Sequence, residues 1–155
     1  GYNIHIDQKN NLVFSLSQDK LNRITERIDR TFATFDKMID IAGFDVAAHY
    51  LFDALHVLTC NINLYNAKKG VKVGIFYSNQ LLDNKKNLSY LDGQLKRNIG
   101  KLNLSLKTSI ANRTTIEENL KRKLSLLSFT KGFDYPHKRY KVKKKRLRTI
   151  KLSWV

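Results

Sequence analysis

The stretch SQDKLNRITERIDRTFATFDKMIDIAG, from Ser17 to Gly43, decides the fold class. Leu21, Ile24, Ile28, Phe32, Phe35 and Met38 or Ile39 recur at steps of three and four, which puts apolar side chains on one side of an α-helix. Ser15 or Ser17 suits the N-cap, with Gln18 three residues beyond Ser15 as in a capping box, and Gly43 suits the stop. Lys20, Arg23, Arg27 and Arg30 share another face of the same helix. Such a face either lies along a nucleic-acid backbone or is simply solvated, with Glu26 and Asp29 close enough to pair with some of its charges.

Upstream, Tyr2–Ile6 alternates like a strand, Asp7–Asn11 has turn chemistry, and Leu12–Phe14 returns as a second strand. A lone hairpin is marginal in water. No other segment reads convincingly as its partner, so the hairpin is expected to complete a sheet outside this chain. Downstream, Leu51, Leu55, Leu58 and Ile62 predict a helix from about Asp45 to Asn63. Leu88, Leu91, Leu95, Ile99 and Leu102 predict a third. Thr114 or Thr115 caps a fourth, with Glu117 and Glu118 at its positive end and Ile116, Leu120, Leu124 and Leu127 on its apolar face. Asn66–Gly70 reads as a basic turn, and Val71–Tyr77 as either a strand or an extended entry to a short helix. The sole proline, Pro136, interrupts the aromatic stretch Phe129, Phe133, Tyr135 and Tyr140. Leu147, Ile150 and Trp154 give the C-terminal end amphipathic helical spacing. The expected fold is mainly α: a hairpin over 1–16, a helical bundle over 17–108, and a C-terminal helix with a basic tail over 109–155.

The 155 residues carry 29 Lys and Arg against 13 Asp and Glu, a formal net charge of +16. Nine of those cations fall between Lys138 and Lys151 with no acidic residue among them, leaving +7 for the rest of the chain. Charge of this size speaks of partners: nucleic acid, an anionic membrane surface or an acidic protein. An apolar content of 42% is too high for a wholly disordered chain. No apolar run is long enough to span a membrane, and the N-terminal residues do not read as a signal peptide. A single cysteine, Cys60, suits a reducing, cytoplasmic setting.

Candidate nucleic-acid contacts fall in three groups. The first is the helical face Lys20, Arg23, Arg27 and Arg30. The second is Lys68, Lys69 and Lys72 beside Tyr77, a phosphate clamp next to a stacking platform; Phe76 reads better as core. The third is the basic run of Lys138, Arg139, Tyr140, Lys141, Lys143, Lys144, Lys145, Arg146, Arg148 and Lys151, where interleaved aromatics, with Phe133, Tyr135 and Trp154, suit stacking on bases. Solvated tails and membrane-surface segments have similar composition.

Catalytic signals are weak. Asp45, His49, Asp53, His56 and Cys60 lie along one helical face, but one helix supplies too few converging ligands for a closed metal site, and buried, hydrogen-bonded histidines are the plainer reading. Cys60 beside His56 reads as a small buried residue rather than a nucleophile. No Gly-x-Ser-x-Gly elbow and no glycine-rich phosphate loop occurs.

Gly1-Tyr2, a strand, a polar turn, a strand and then a basic amphipathic helix resembles the region downstream of the catalytic motif in bacterial reverse transcriptases. Val71–Asn79, Leu91-Asp92 and Phe129-Thr130-Lys131-Gly132-Phe133, followed by a basic run and a Trp, are similar to stretches of the antiviral-defence members. The resemblance implies the template–primer-binding, thumb-like C-terminal segment of an RNA-directed DNA polymerase. Partners would then be RNA, DNA or their hybrid, together with the palm and fingers of the same enzyme; a noncoding RNA and self-association stay open, and no membrane is expected. Asp-Asp occurs nowhere in the chain. The family's carboxylates, and the Mg²⁺ expected for the parent polymerase, would therefore lie before Gly1, with no cofactor or catalytic residue in this segment. The competing expectation is a stand-alone basic helical RNA-binding module, ribosome- or noncoding-RNA-associated; a membrane-surface or protein-interaction module is the third.

Overall fold

A computed structural model describes residues 1–65, 72–104, 112–136 and 139–155. The basic turn expected at 66–70, with Lys68 and Lys69, and Lys138 of the basic run lie outside the described residues. For Lys72 and Arg139 only the backbone is described. In chain order the elements are β1 (Tyr2–Ile6), β2 (Leu12–Leu16), α1 (Gln18–Ala42), α2 (Phe44–Thr59), β3 (Asn61–Tyr65), β4 (Lys72–Gly74), α3 (Lys86–Gly100), α4 (Arg113–Leu124), α5 (Phe129–Asp134), β5 (Arg139–Lys143) and α6 (Lys144–Leu152). The fold is mainly α, preceded by a short antiparallel hairpin.

Turn chemistry makes the hairpin. Asp7 Oδ1 accepts from the backbone N–H of Lys9 and of Asn11, each at 2.8 Å. Asn10 takes the left-handed conformation at φ 60°, which Asn tolerates better than most residues. The register pairs Tyr2 with Leu16, Ile4 with Phe14 and Ile6 with Leu12, so all six share one face. At its base that face joins the core through buried Leu16 and through Tyr2. Farther out, Ile4, Ile6 and Leu12 are 61%, 65% and 60% exposed. Among the described residues the hairpin pairs with no further strand. The outer edge of β2 is engaged at Phe14, which exchanges hydrogen bonds with Asp83.

Helix α1 buries the expected stripe of Leu21, Ile24, Ile28, Phe32, Phe35 and Ile39. Ser17 stands at its N-cap, though without a side-chain cap bond, and Gly43 closes it at φ 83°. Helix α2 starts at once and is covered on more than one side, as expected for a helix with apolar residues most of the way round. Ala47, Leu51, Leu55 and Leu58 join the main core with α1 and α3, while Tyr50 and Ala54 pack with Ile150 of α6. Full burial of each such Leu or Ile stabilises the fold by about 1.5–3 kcal/mol.

The second helix is shorter than its spacing predicts. It ends at Thr59, and Cys60 turns extended at φ −147°, ψ 174°. Asn61–Tyr65 then becomes the central strand of a three-stranded sheet in the order β4-β3-β5, antiparallel to β4 and parallel to β5. Leu58 and Ile62 are four apart, which fits a helix, but Asn61-Ile62-Asn63-Leu64 also alternates, and burial of Ile62 with Val142 and Leu147 decides for the strand. The expected helix over Ile62 and Asn63 is thereby corrected to a strand, and the stretch left open at Val71–Tyr77 contributes the short strand β4. From Arg139 on, the basic run is strand β5 and then helix α6, which is anchored by Leu147 and Ile150.

A close approach of α5 to the end of α2 completes the packing. Asp92 on α3 accepts from the backbone N–H of Phe129 at 2.6 Å and from the hydroxyls of Ser128 and Thr130 at 2.8 and 2.6 Å, fixing the start of α5. Gly132 then faces the carbonyl oxygen of Thr59, which an added Cβ would meet at 1.9 Å. Gly132→Ala is expected to cost about 1–3 kcal/mol, because backbone and not a flexible side chain is in the way. Thermal unfolding should show a drop of roughly 3–10 °C; an unchanged midpoint would refute this packing.

Candidate nucleic-acid interface

Three sequence-distant elements meet at one groove. Helix α1 contributes Lys20, Arg23, Ile24 and Arg27; the turn after β4 contributes Ile75, Tyr77 and Asn79; α6 and the residues after it contribute Leu147, Lys151 and Trp154. The groove has a volume of about 470 Å³. Four of its lining residues are cations and none is a carboxylate. No salt bridge among the described residues involves Lys20, Arg23, Arg27 or Lys151. Burial, and to a lesser degree the nearby Arg23, hold the Lys20 ammonium below its ordinary value.

Each wall is held from behind. Buried Asn79 donates to the Ile75 carbonyl at 2.6 Å, and its own carbonyl receives the Lys20 ammonium. Asn61 accepts from the backbone N–H of Tyr77 at 2.8 Å and donates to the Pro136 carbonyl at 3.0 Å, so one side chain ties the turn to the segment before β5. The Tyr77 ring is 47% exposed, whereas Phe76 is core and packs edge-on against Phe133 at 5.9 Å. Trp154 donates through Nε1 to Thr31 Oγ1 at 2.9 Å, and Thr31 in turn donates to the Arg27 carbonyl at 2.7 Å. The Arg27 guanidinium lies 5.2 Å from the Trp154 ring centroid, within cation–π range.

The remaining predicted contacts are distributed elsewhere. Arg30 turns away to Glu26, at 2.7 Å, and to the carbonyl of Val155. Lys141 and Lys143 are exposed on β5, alternating with half-buried Tyr140 and buried Val142. Lys144, Lys145 and Arg148 are exposed on α6. Arg146 lies on the side of α6 facing α2, where it pairs with Asp53 at 2.9 Å. Tyr140 also donates to Asp53, at 3.2 Å, and stacks on His56 with ring centroids 3.7 Å apart. The basic run is thus divided between surfaces and does not form one continuous rail. Trp154, expected as a stacking aromatic, lines the groove, as does Asn79, which was not among the predicted contacts; Asn61, also not among them, supports the groove from behind. For Trp154 the signal was available, since it follows Leu147 and Lys151 at steps of seven and three. For the two asparagines no local signal exists.

Only part of the helical face with metal-like spacing is engaged in packing: Asp53 is buried and His56 and Cys60 are half-buried, whereas Asp45 and His49 are exposed, so the expectation of buried histidines is corrected for His49. Asp53 is 3% exposed and holds Tyr140 and Arg146. Burial pushes the Cys60 thiol up to about 11, so it stays protonated, a poor nucleophile and a poor ligand. Among the described residues no group of three or more His, Cys, Asp or Glu side chains could hold a metal ion. No helix among the described residues is long and apolar enough to cross a membrane.

Known proteins do not decide what the groove holds. No protein-family model, no curated protein and no solved structure matches the chain.

Burial also holds the His56 imidazole below its ordinary 6.5, against smaller opposing effects of the Phe52 carbonyl and Asp53. The unfolded chain therefore takes up this proton first as pH falls through about 6.5, and stability drops below that point. Urea unfolding should show a falling midpoint from about pH 7 to about pH 5. His56→Phe keeps a ring against Tyr140 and should remove part of that slope; identical slopes in the two proteins would refute the assignment.

Proposed function

We propose that this chain is the nucleic-acid-binding, thumb-like C-terminal segment of a bacterial reverse transcriptase of the antiviral-defence type. Its part in RNA-directed DNA synthesis is to hold template and primer, while the catalytic carboxylates and Mg²⁺ belong to a palm outside these residues. The observation that carries the binding reading is the groove: four cations from two helices, with no lining carboxylate. Phosphates at Lys20, Arg23, Arg27 and Lys151 would release counterions and fix position without reading sequence. The exposed cations of β5 and α6 extend the same field. A cytoplasmic setting accompanies this reading, on the strength of the single free cysteine.

The polymerase part rests on the residue resemblance and on the hairpin. A self-sufficient module gains nothing from displaying Ile4, Ile6 and Leu12 on an unpaired two-stranded sheet, because such edges invite aggregation. A neighbouring palm sheet would cover them. The stand-alone RNA-binding module keeps one observation in its favour: α6 is folded onto α2 and so completes a core within this chain.

Two experiments test these parts separately. Replacing Arg23, Arg27 and Lys151 together by Ala should weaken binding of labelled RNA and DNA about equally for all sequences. It should also reduce the slope of log affinity against log salt by about one for each phosphate no longer neutralised. An unchanged slope would rule out the groove as the phosphate site. Sequencing the native polypeptide upstream of Gly1 and assaying primer extension tests the polymerase part. An aromatic-X-Asp-Asp motif with extension activity is expected; lacking both, with no partner polypeptide to supply them, the chain is an RNA-binding module.

A further inference from the structure

The groove has a feature that a phosphate rail does not need. Its cations stand beside an apolar lining of Ile24, Val57, Leu58, Val73, Ile75 and Leu147. Its volume of about 470 Å³ falls within the ~300–1,000 Å³ usual for sites that engulf a small organic group. A duplex presents phosphates, sugars and base edges but keeps its base faces stacked inside, so it has no flat base face to lay against that lining. An unpaired nucleotide has both halves: an anionic backbone for the cations, and a flat, weakly polar base for the apolar surface. The exposed Tyr77 ring supplies a stacking face, and its backbone is fixed by Asn61. Trp154 and Arg27 are likewise held before any ligand arrives, which lowers the ordering cost of binding.

We propose that the groove binds single-stranded nucleic acid by taking in one unpaired base, stacked on Tyr77 against the apolar lining, with the flanking phosphates on Lys20, Arg23, Arg27 and Lys151. This rests on the phosphate-binding reading of the groove above and narrows it: the groove takes an unpaired stretch, such as single-stranded template, and not the paired template–primer. Stacking tolerates any base, because every base has a π face, so no sequence preference is built in.

Trp154 is the only tryptophan in the chain and lines the groove, so its fluorescence reports occupancy. The probes are a single-stranded oligouridylate, the same strand with abasic sites, and a blunt duplex, at equal salt. The single strand should quench Trp154 and bind at least about ten-fold more tightly than the other two, since stacking contributes about 1–3 kcal/mol per base and ten-fold is about 1.4 kcal/mol. Tyr77→Ala, at an exposed position, should lose about that factor for the single strand only, and Tyr77→Phe should retain it. Equal affinity for intact and abasic strands, or an equal loss for both in Tyr77→Ala, overturns the base pocket and leaves phosphate binding standing. If no nucleic acid binds, or if phosphatidylserine vesicles quench Trp154 where nucleic acid does not, both readings fall.

Discussion

Helix α2 is an apolar rod that no single neighbour can cover. Helix α1 and the rest of the main core take Ala47, Leu51, Leu55 and Leu58, which leaves Tyr50 and Ala54 to a second cluster. Helix α6 closes that second side with Ile150, and Tyr50 adds a 2.6 Å hydrogen bond to Ser153. This demand for two-sided cover folds a strongly basic helix, α6, onto the core through Leu147 and Ile150 while its lysines stay exposed. It also sets where the cations go. Once Leu147 and Ile150 are buried, Lys151 and Trp154 are carried to the α1 side and Arg146 to the Asp53 side.

Periodic and turn chemistry were legible in the sequence. The Asp7–Asn11 turn and the Leu21–Ile39 stripe depend on neighbours close in the chain, so the hairpin and α1 stand where their spacing places them. Ile62 was not legible, because its strand is justified by Val142 and Leu147, far along the sequence. A parallel pairing such as β3 with β5 leaves no turn signal between its strands, and part of β5 was hidden in a run of charge that looks like a tail.

The groove shows the same division. Lys20, Arg23 and Arg27 fall on one face by simple counting, and Tyr77 stood out as an aromatic beside lysines. That these groups should face Lys151 and Trp154 follows only from the closure of α6 over the core. Charge composition therefore carries the proposal about the class of ligand, whereas the shape of the site comes from apolar residues that carry no functional signature. Arg146 and Tyr140 illustrate the point: both lie within the basic stretch, yet one buried carboxylate, Asp53, draws them to the opposite side of α6.

Strand β5 also imposes an order of events during synthesis. Strand β3 and the second side of α2 are made early, but their partners lie in residues 139–154 and emerge much later. Until then the nascent chain exposes an unpaired strand edge and a half-covered apolar helix, surfaces of the kind that chaperones recognise. Lys151 and Trp154 are not yet present, so the groove does not exist on the ribosome. The binding surface and the finished core arrive together, and a chain stalled before residue 139 has neither.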